Sequence, residues 1–323
     1  MHRARPASDA WLPEGARDPV VALFVPGLEE LPPPPAGPRL PSLERLLGRG
    51  RRRALPEAAG PWAELARLAG GDVARWPVGP VSRLGDLGGL RATACLRVEP
   101  LGLEPSGSGI ARTRAVALAI RDDEARDLAA AFGAQFAPDG LTLDVARPER
   151  WYLSGGPGWS GFPLPPHADL PPGPPESALR RLLAEGEMLL HAHPVNECRR
   201  ESGRVGVNSL HPWGGGTVAG GGPTAMPAGV GDEPYLRGLR SLAGAAIGRD
   251  LEAGGIAWPL AVESVTVDGF RRLEDEWAAP LYRRLVRGRL SAIRVITGRG
   301  VHEVRVWAAR RAWRRTRPVA ELC

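Results

Sequence analysis

Apolar positions in this chain fall into short blocks whose spacing alternates between strand-like and helical. Pro19–Leu28 (PVVALFVPGL) is an apolar, β-branched run stopped by Pro-Gly, the pattern of a buried parallel strand. A proline-rich loop follows over Leu31–Pro41, after which Ser42 is placed to cap a helix reading LERLLGRGRRR. A second helix is predicted over Pro61–Leu68. Thr93–Glu99 and Val116–Ile120 read as strands. Asp122–Phe136 sets Ala125, Leu128, Ala129, Phe132 and Phe136 on one helical face. Leu141–Val145 and Trp151–Leu153 read as strands again, and a Pro/Gly-rich stretch closes this stretch of chain.

Beyond it, Glu176–His191 carries Leu179, Leu182, Leu183, Met188 and Leu190 at helical spacing and stops before His193-Pro194. Gly214–Gly231 is glycine-rich and reads as a loop. A small-residue helix is predicted over Tyr235–Leu251, one or two strands over Trp258–Val267, a helix over Phe270–Val286, and a closing hairpin from Ala292–Thr297 and Val301–Trp307. Strand–loop–helix order points to an α/β fold. The expectation is a mostly parallel sheet flanked by helices, drawn from 15–90 and 176–323. An inserted α+β module covers 91–154 and a linker 155–175.

Composition narrows the chemistry. Charged residues are 24% and hydrophobic ones 43%, the balance of a folded globular protein. Lysine does not occur, so a Walker lysine, a Schiff base and pyridoxal phosphate attachment are excluded. The three cysteines are Cys95, Cys198 and Cys323, with no CxxC pair, which argues against a zinc knuckle or a disulfide framework. No apolar h-region opens the sequence and no apolar run approaches ~18 residues, so a cytoplasmic location without membrane contact is expected. The net charge of +6 is concentrated between Arg271 and Arg317, where fourteen arginines face four acids.

The densest chemistry lies in HAHPVNECRRESGRVGVNSLHPWGGG, His191–Gly216. Arginine forks onto oxygen pairs, and glycines let backbone amides approach an anion. Asparagines and glycines also cap turns and build loops, and that structural use competes with ligand binding. The candidate ligand-binding set is His193, Asn196, Arg199, Asn208, His211, Trp213, Gly214 and Gly216. His191 and His193 stand at a helix end with rings pointing apart, so no metal ligand is assigned. The triple glycine opens no helix directly after it and has no acidic residue after a second strand ~20 residues on, so it does not read as a dinucleotide loop. Arginines interleaved with Trp307 and Trp313 fit a solvated edge better than a nucleic-acid surface.

Taken in order, FVPGL (Phe24–Leu28), CLRVEPLGL (Cys95–Leu103), PERWYL (Pro148–Leu153), HPVNECRRESG (His193–Gly203), VNSLHPWGGG (Val207–Gly216) and EDEWAAPL with RRAWRRTRP (Glu274–Pro318) closely resemble the proteobacterial "regulatory protein, RpfE type" group. That group is itself similar to archaeal-type, cofactor-independent phosphoglycerate mutases of the alkaline phosphatase superfamily. His193, Pro194, Asn196, Arg199, Gly203, Asn208, Gly214 and Gly216 match the mutase block HPVN…R…G…AN…GxG. The resemblance implies a reduced alkaline-phosphatase-like core.

It also implies two divalent metals at the carboxyl ends of the strands, held by a first-strand Asp and a late Asp-His pair among others. Here Pro26 and Gly298-Arg299 stand at those places, and none of these side chains ligates a metal cation. The expectation is therefore a non-catalytic, phosphoglycerate-mutase-like regulatory or anion-sensing protein, with no catalytic residues and no cofactor. Its expected partner is a small phosphorylated or carboxylated metabolite, with a protein partner also open. An active mutase or phosphotransferase with rearranged ligands is the first alternative, and needs several of His167, Asp169, His193, His211, Asp232 and Asp268 to converge. Nucleic-acid or partner-protein binding through the Arg/Trp-rich C-terminus is the second.

Overall fold

The apolar run near the start becomes β1 (Val20–Phe24), buried along its whole length. The structure, a computed structural model, describes residues 19–32, 37–55, 60–107, 109–156, 159, 174–224, 226–245, 251, 254–260, 265–310, 317–319 and 322. Contacts divide the chain into two units, 1–72 with 221–323, and 73–220.

In the first unit, α1 (Pro41–Arg49) follows β1 and lays Leu43, Leu46 and Leu47 into the core. Proline at its first position suits a helix start, where its missing amide is not needed. Ser42 does not cap this helix. The amides of Ser42 and Leu43 instead donate to the Glu274 carboxylate, at 2.7 and 3.1 Å, from 232 and 231 residues away. The arginines after Gly50 leave the helix and form β2 (Arg51–Ala54), an exposed strand, because glycine is a poor helix former. Then come α2 (Gly60–Leu68), β8 (Gly229–Gly231), α8 (Pro234–Leu242) and β9 (Gly255–Trp258). The strand predicted from Trp258 onward thus ends there. Residues 246–250 of the predicted helix and 261–264 of the predicted strand lie outside the described residues.

The helix predicted over Phe270–Val286 is α9 (Val267–Leu273), a π turn (Glu274–Ala278) and α10 (Ala279–Val286). Pro280 lacks the amide that would close a regular turn there, and the chain widens just before it. The hairpin β10 (Ala292–Ile296) and β11 (Gly300–Arg305) forms as predicted, followed by the short α11 (Val306–Ala309). The sheet runs β2-β11-β10-β1-β9-β8. β8, β9, β1 and β10 are parallel; β11 and β2 are antiparallel. The sheet is therefore mixed. Its core on one face joins Val21, Leu23 and Val25 to Leu46, Phe270, Leu273, Leu285 and Val304.

The Glu274 bridge gives a first expectation. Glu274→Ala strips two buried amides of their acceptor and removes a carboxylate from a helix N-terminus, at a cost of about 1–3 kcal/mol. Chemical denaturation should show a lower midpoint. An unchanged midpoint would mean that the bridge contributes nothing.

The second unit is wider than the 91–154 expected for an inserted module. It comprises α3 (Val78–Leu87), β3 (Cys95–Ser106), β4 (Gly109–Arg114), α4 (Ala115–Leu118), α5 (Asp122–Phe136), β5 (Thr142–Arg147), β6 (Arg150–Ser154), α6 (Pro174–His191), α7 (Pro194–Glu201) and β7 (Ser209–Gly216). Its sheet is antiparallel, β4-β3-β6-β5, with β7 also on β3. The strand predicted over Val116–Ile120 is a single helical turn, ended by Ala119 at φ 46°. The start of the predicted glycine loop, Gly214–Gly216, belongs to β7.

Candidate functional site

In open α/β sheets, ligands gather beyond the carboxyl ends of parallel strands. At that edge of the first unit, β1 ends in Phe24 and β9 in Trp258, and their rings stack at 4.5 Å and 7°. Trp62 of α2 adds a third ring, 5.8 Å from Trp258. All three are buried. Pro26 and Gly27 follow β1. Gly27 has a left-handed φ of 75°, and a β-carbon there would stand 2.8 Å from Val265, so backbone shape and packing both require glycine.

Two carboxylates that the sequence reading did not single out approach this edge. Glu29, on the turn after β1, lies against Gly298, the turn after β10; a β-carbon at 298 would overlap its carboxylate. Burial raises the Glu29 pKa above its usual 4.5, and the amides of Glu29 and Gly298 offset this only in part. Its Oε2 has no hydrogen-bond partner among the described residues. Glu233, buried at the start of α8, accepts the Trp62 indole N–H at 3.3 Å. Among the described residues no three His, Cys, Asp or Glu side chains gather to hold a metal ion. His167 and Asp169 lie outside the described residues. Among the described residues, Pro26, Gly298 and Arg299 at the strand ends offer no side-chain ligand for the two-metal centre that the resemblance implies.

The second unit holds the whole candidate ligand set, and the polar atoms traced there mostly meet the chain itself. Asn196 is fully buried. Its Nδ2 donates to the carbonyls of Leu190 (2.7 Å) and Val207 (2.9 Å), and its Oδ1 accepts the Val207 amide (2.7 Å). Asn208 pairs with both backbone groups of Leu103, at 2.7 and 2.9 Å, as a strand residue would. Arg199 is equally committed: Nε to Val205 O (2.9 Å), one terminal nitrogen to Leu118 O (2.6 Å), the other to Glu124 (2.6 Å). Arg204 reaches the same Glu124 at 2.7 Å and the carbonyl of left-handed Ala119 at 2.6 Å. Burial alone would raise the Glu124 pKa, but the Arg121 amide and the Arg204 and Arg199 guanidinia bring it below the usual 4.5.

His193 caps α7, its Nδ1 accepting the Val195 amide at 3.3 Å. His211 stands on β7 opposite Glu99. Trp213 lies under the buried Arg97 guanidinium, 4.7 Å from ring centre to carbon. Gly214 and Gly216 face α3, where β-carbons would meet Val78 at 2.8 Å and Pro77 at 2.5 Å. Asn196, Arg199 and Asn208 are thus brought together, but as staples between α7, α5 and β3, with their polar atoms spent on backbone and Glu124.

No protein-family model matches the chain, and no curated protein does. Solved structures similar to it include two described by name. One is a cofactor-independent phosphoglycerate mutase from Thermoplasma acidophilum DSM 1728, 17% identical, covering 89% of this chain and 90% of that one, with a TM-score of 0.37. The other is the PH0037 protein from Pyrococcus horikoshii, 14% identical, covering 88% and 86%, with a TM-score of 0.47. In the first unit no described helix is long and apolar enough to cross a membrane, and the same holds in the second.

A third feature of the first unit went unread in the sequence. On the open edge of its sheet, a cavity of about 340 Å³ is lined by Arg51, Arg53, Arg67 and Arg294 with Glu64 and Glu303. Its arginines come from β2, α2 and β10, so no run of sequence announces it.

Proposed function

We propose that this is a non-catalytic, phosphoglycerate-mutase-like protein with a regulatory or anion-sensing role, active within the cytoplasm. The observation that carries it is the aromatic closure of the strand ends, where Phe24, Trp258 and Trp62 pack together and Pro26 follows β1. Phosphoryl transfer through two metals needs side chains that ligate both ions. A buried ring stack supplies none. The internal bonding of Asn196, Arg199 and Asn208 supports the same reading, because binding a substrate there would require breaking the hydrogen bonds that hold α7 and α5.

A second reading, an active phosphotransferase with rearranged ligands, is favoured by one observation, the buried Glu29 carboxyl with its raised pKa at the carboxyl edge. Mutase turnover with added Mn²⁺ or Mg²⁺ separates the two. Absence of metal-dependent turnover is expected; turnover abolished by Glu29→Gln would replace the first reading with the second. The Arg/Trp-rich segment of the third reading includes 311–316, which lie outside the described residues.

A further inference from the structure

We infer that the outer edge of β2 takes up an extended, acidic segment of a partner protein as one more strand of the first unit's sheet. The inference goes beyond the reading above and does not depend on it.

β2 is the last strand of its sheet and is exposed along its whole length. Its pairing with β11 tells which of its backbone groups face outward. Antiparallel partners exchange hydrogen bonds at every second residue pair. Leu55 donates its amide to the Arg299 carbonyl at 3.0 Å, which makes that a bonded pair. Arg53 stands opposite Val301 and Arg51 opposite Glu303, so the bonded positions of β2 are 51, 53 and 55. On the other side of β11, Thr297 donates to the Gly300 carbonyl at 2.9 Å, so positions 300 and 302 bond to β10. The two ladders agree. The N–H and C=O of Arg52 and Ala54 therefore point away from the sheet, and no backbone group meets them among the described residues. Outward-facing amides and carbonyls at alternate residues are what an added strand pairs with.

The side chains select the occupant. Arg51 and Arg53 project to one face and Arg52 to the other. The cavity of about 340 Å³ is lined by all three, so it runs along the strand itself. Little acidic charge answers them. Glu303 stands opposite Arg51, yet its oxygens accept Arg294 and Arg305, both at 3.0 Å. Arg51 and Arg52 have no hydrogen-bond or carboxylate partner among the described residues. Glu64 of α2 takes Arg53 at 2.9 Å and Arg67 at 2.7 Å, one carboxylate for two guanidinia. Charge on an edge strand also serves to block pairing. Three consecutive arginines do so against a second copy of β2, because like charges would stand across from one another. The same charges favour a strand with carboxylates at alternate positions. Proline at 52 or 54 would close the edge to every strand without touching the β11 ladder, and in a chain with 34 prolines neither position carries one.

The test is titration of the full chain into a labelled, end-blocked short peptide alternating glutamate with valine, followed by fluorescence anisotropy. Its fully N-methylated form keeps the charge and loses every donor, and a short oligothymidylate stands for a plain polyanion. Saturable binding of the acidic peptide is expected, weakened by salt and lost on N-methylation. Ala54→Pro removes one outward N–H and no β11 bond, so it should keep the parent's thermal midpoint and weaken the peptide by roughly tenfold. Arg51→Glu should weaken it by roughly fivefold through reversed charge. Absent saturable binding, or affinity untouched by both variants, overturns the inference. Equal binding of the N-methylated peptide, or oligothymidylate bound more tightly than the acidic peptide, also overturns it, in favour of a charge patch without strand pairing. Should Ala54→Pro fail to fold, the N-methylated peptide and Arg51→Glu still decide. None of these outcomes involves mutase turnover, so this inference and the non-catalytic reading fail separately.

Discussion

Replacing Arg199 by methionine should destabilise the second unit by about 3–5 kcal/mol, the typical cost of stranding a buried charge. The methionine fills much of the same volume but leaves Glu124 without its shortest partner, at 2.6 Å, and leaves the Leu118 and Val205 carbonyls without their donor. Arg204 still reaches Glu124, but from a more exposed position. Hydrogen exchange should rise most in the amides of 118–124 and 196–207, because those segments share this one guanidinium. Adding Glu124→Gln should recover part of the loss by removing the stranded charge. Acid should act on the same pair. The Glu124 pKa is lowered by folding, so its stabilisation is complete above the ordinary value of 4.5 and is lost as pH falls through the depressed folded value. A ligand-binding role without a structural one predicts the reverse pattern, with stability unchanged on Arg199→Met.

Trp258→Ala should cost the first unit about 3–5 kcal/mol, as large-to-small changes of buried aromatics do. The indole is fully buried at the carboxyl end of β9, stacked on Phe24 and close to Trp62, so its removal leaves a void against those two rings. Gly231 could not compensate by taking a larger side chain, because a β-carbon there would collide with the Trp258 backbone. Trp258→Phe keeps a stacked ring and should lose less. Denaturation followed by near-ultraviolet circular dichroism reads both. A Trp258→Ala chain with the parent midpoint would mean that the strand ends are open, and the aromatic closure would cease to support the non-catalytic reading.

Much of the fold was legible where apolar periodicity and element type agree. PVVALFVPGL had to be a buried strand, the Ala125–Phe136 face had to be a helix, and Ala292–Trp307 had to turn back on itself. The errors share a cause. Arg51–Ala54 has no apolar alternation, and it is a strand only because β11 offers it a ladder. Gly214–Gly216 reads as loop because it is all glycine, yet it extends β7 along β3, where Val78 and Pro77 leave no room for a β-carbon. The site was harder. Asparagine and arginine look like ligand-binding residues because they carry many donors, but backbone carbonyls compete for the same donors. Where Leu190, Val205, Leu118 and Leu103 place their carbonyls cannot be seen in the chain. The arginine edge was hidden for the opposite reason: its members are ordinary surface residues in sequence, gathered only by the β2–β11–β10 pairing.

The most direct measurement is phosphoglycerate mutase turnover by the pure full-length chain, with Mn²⁺ or Mg²⁺ added and with chelator present, alongside the metal content of the same sample. The account predicts no turnover above the blank in either condition and no stoichiometric divalent metal. Turnover that appears with metal and vanishes with chelator would contradict it.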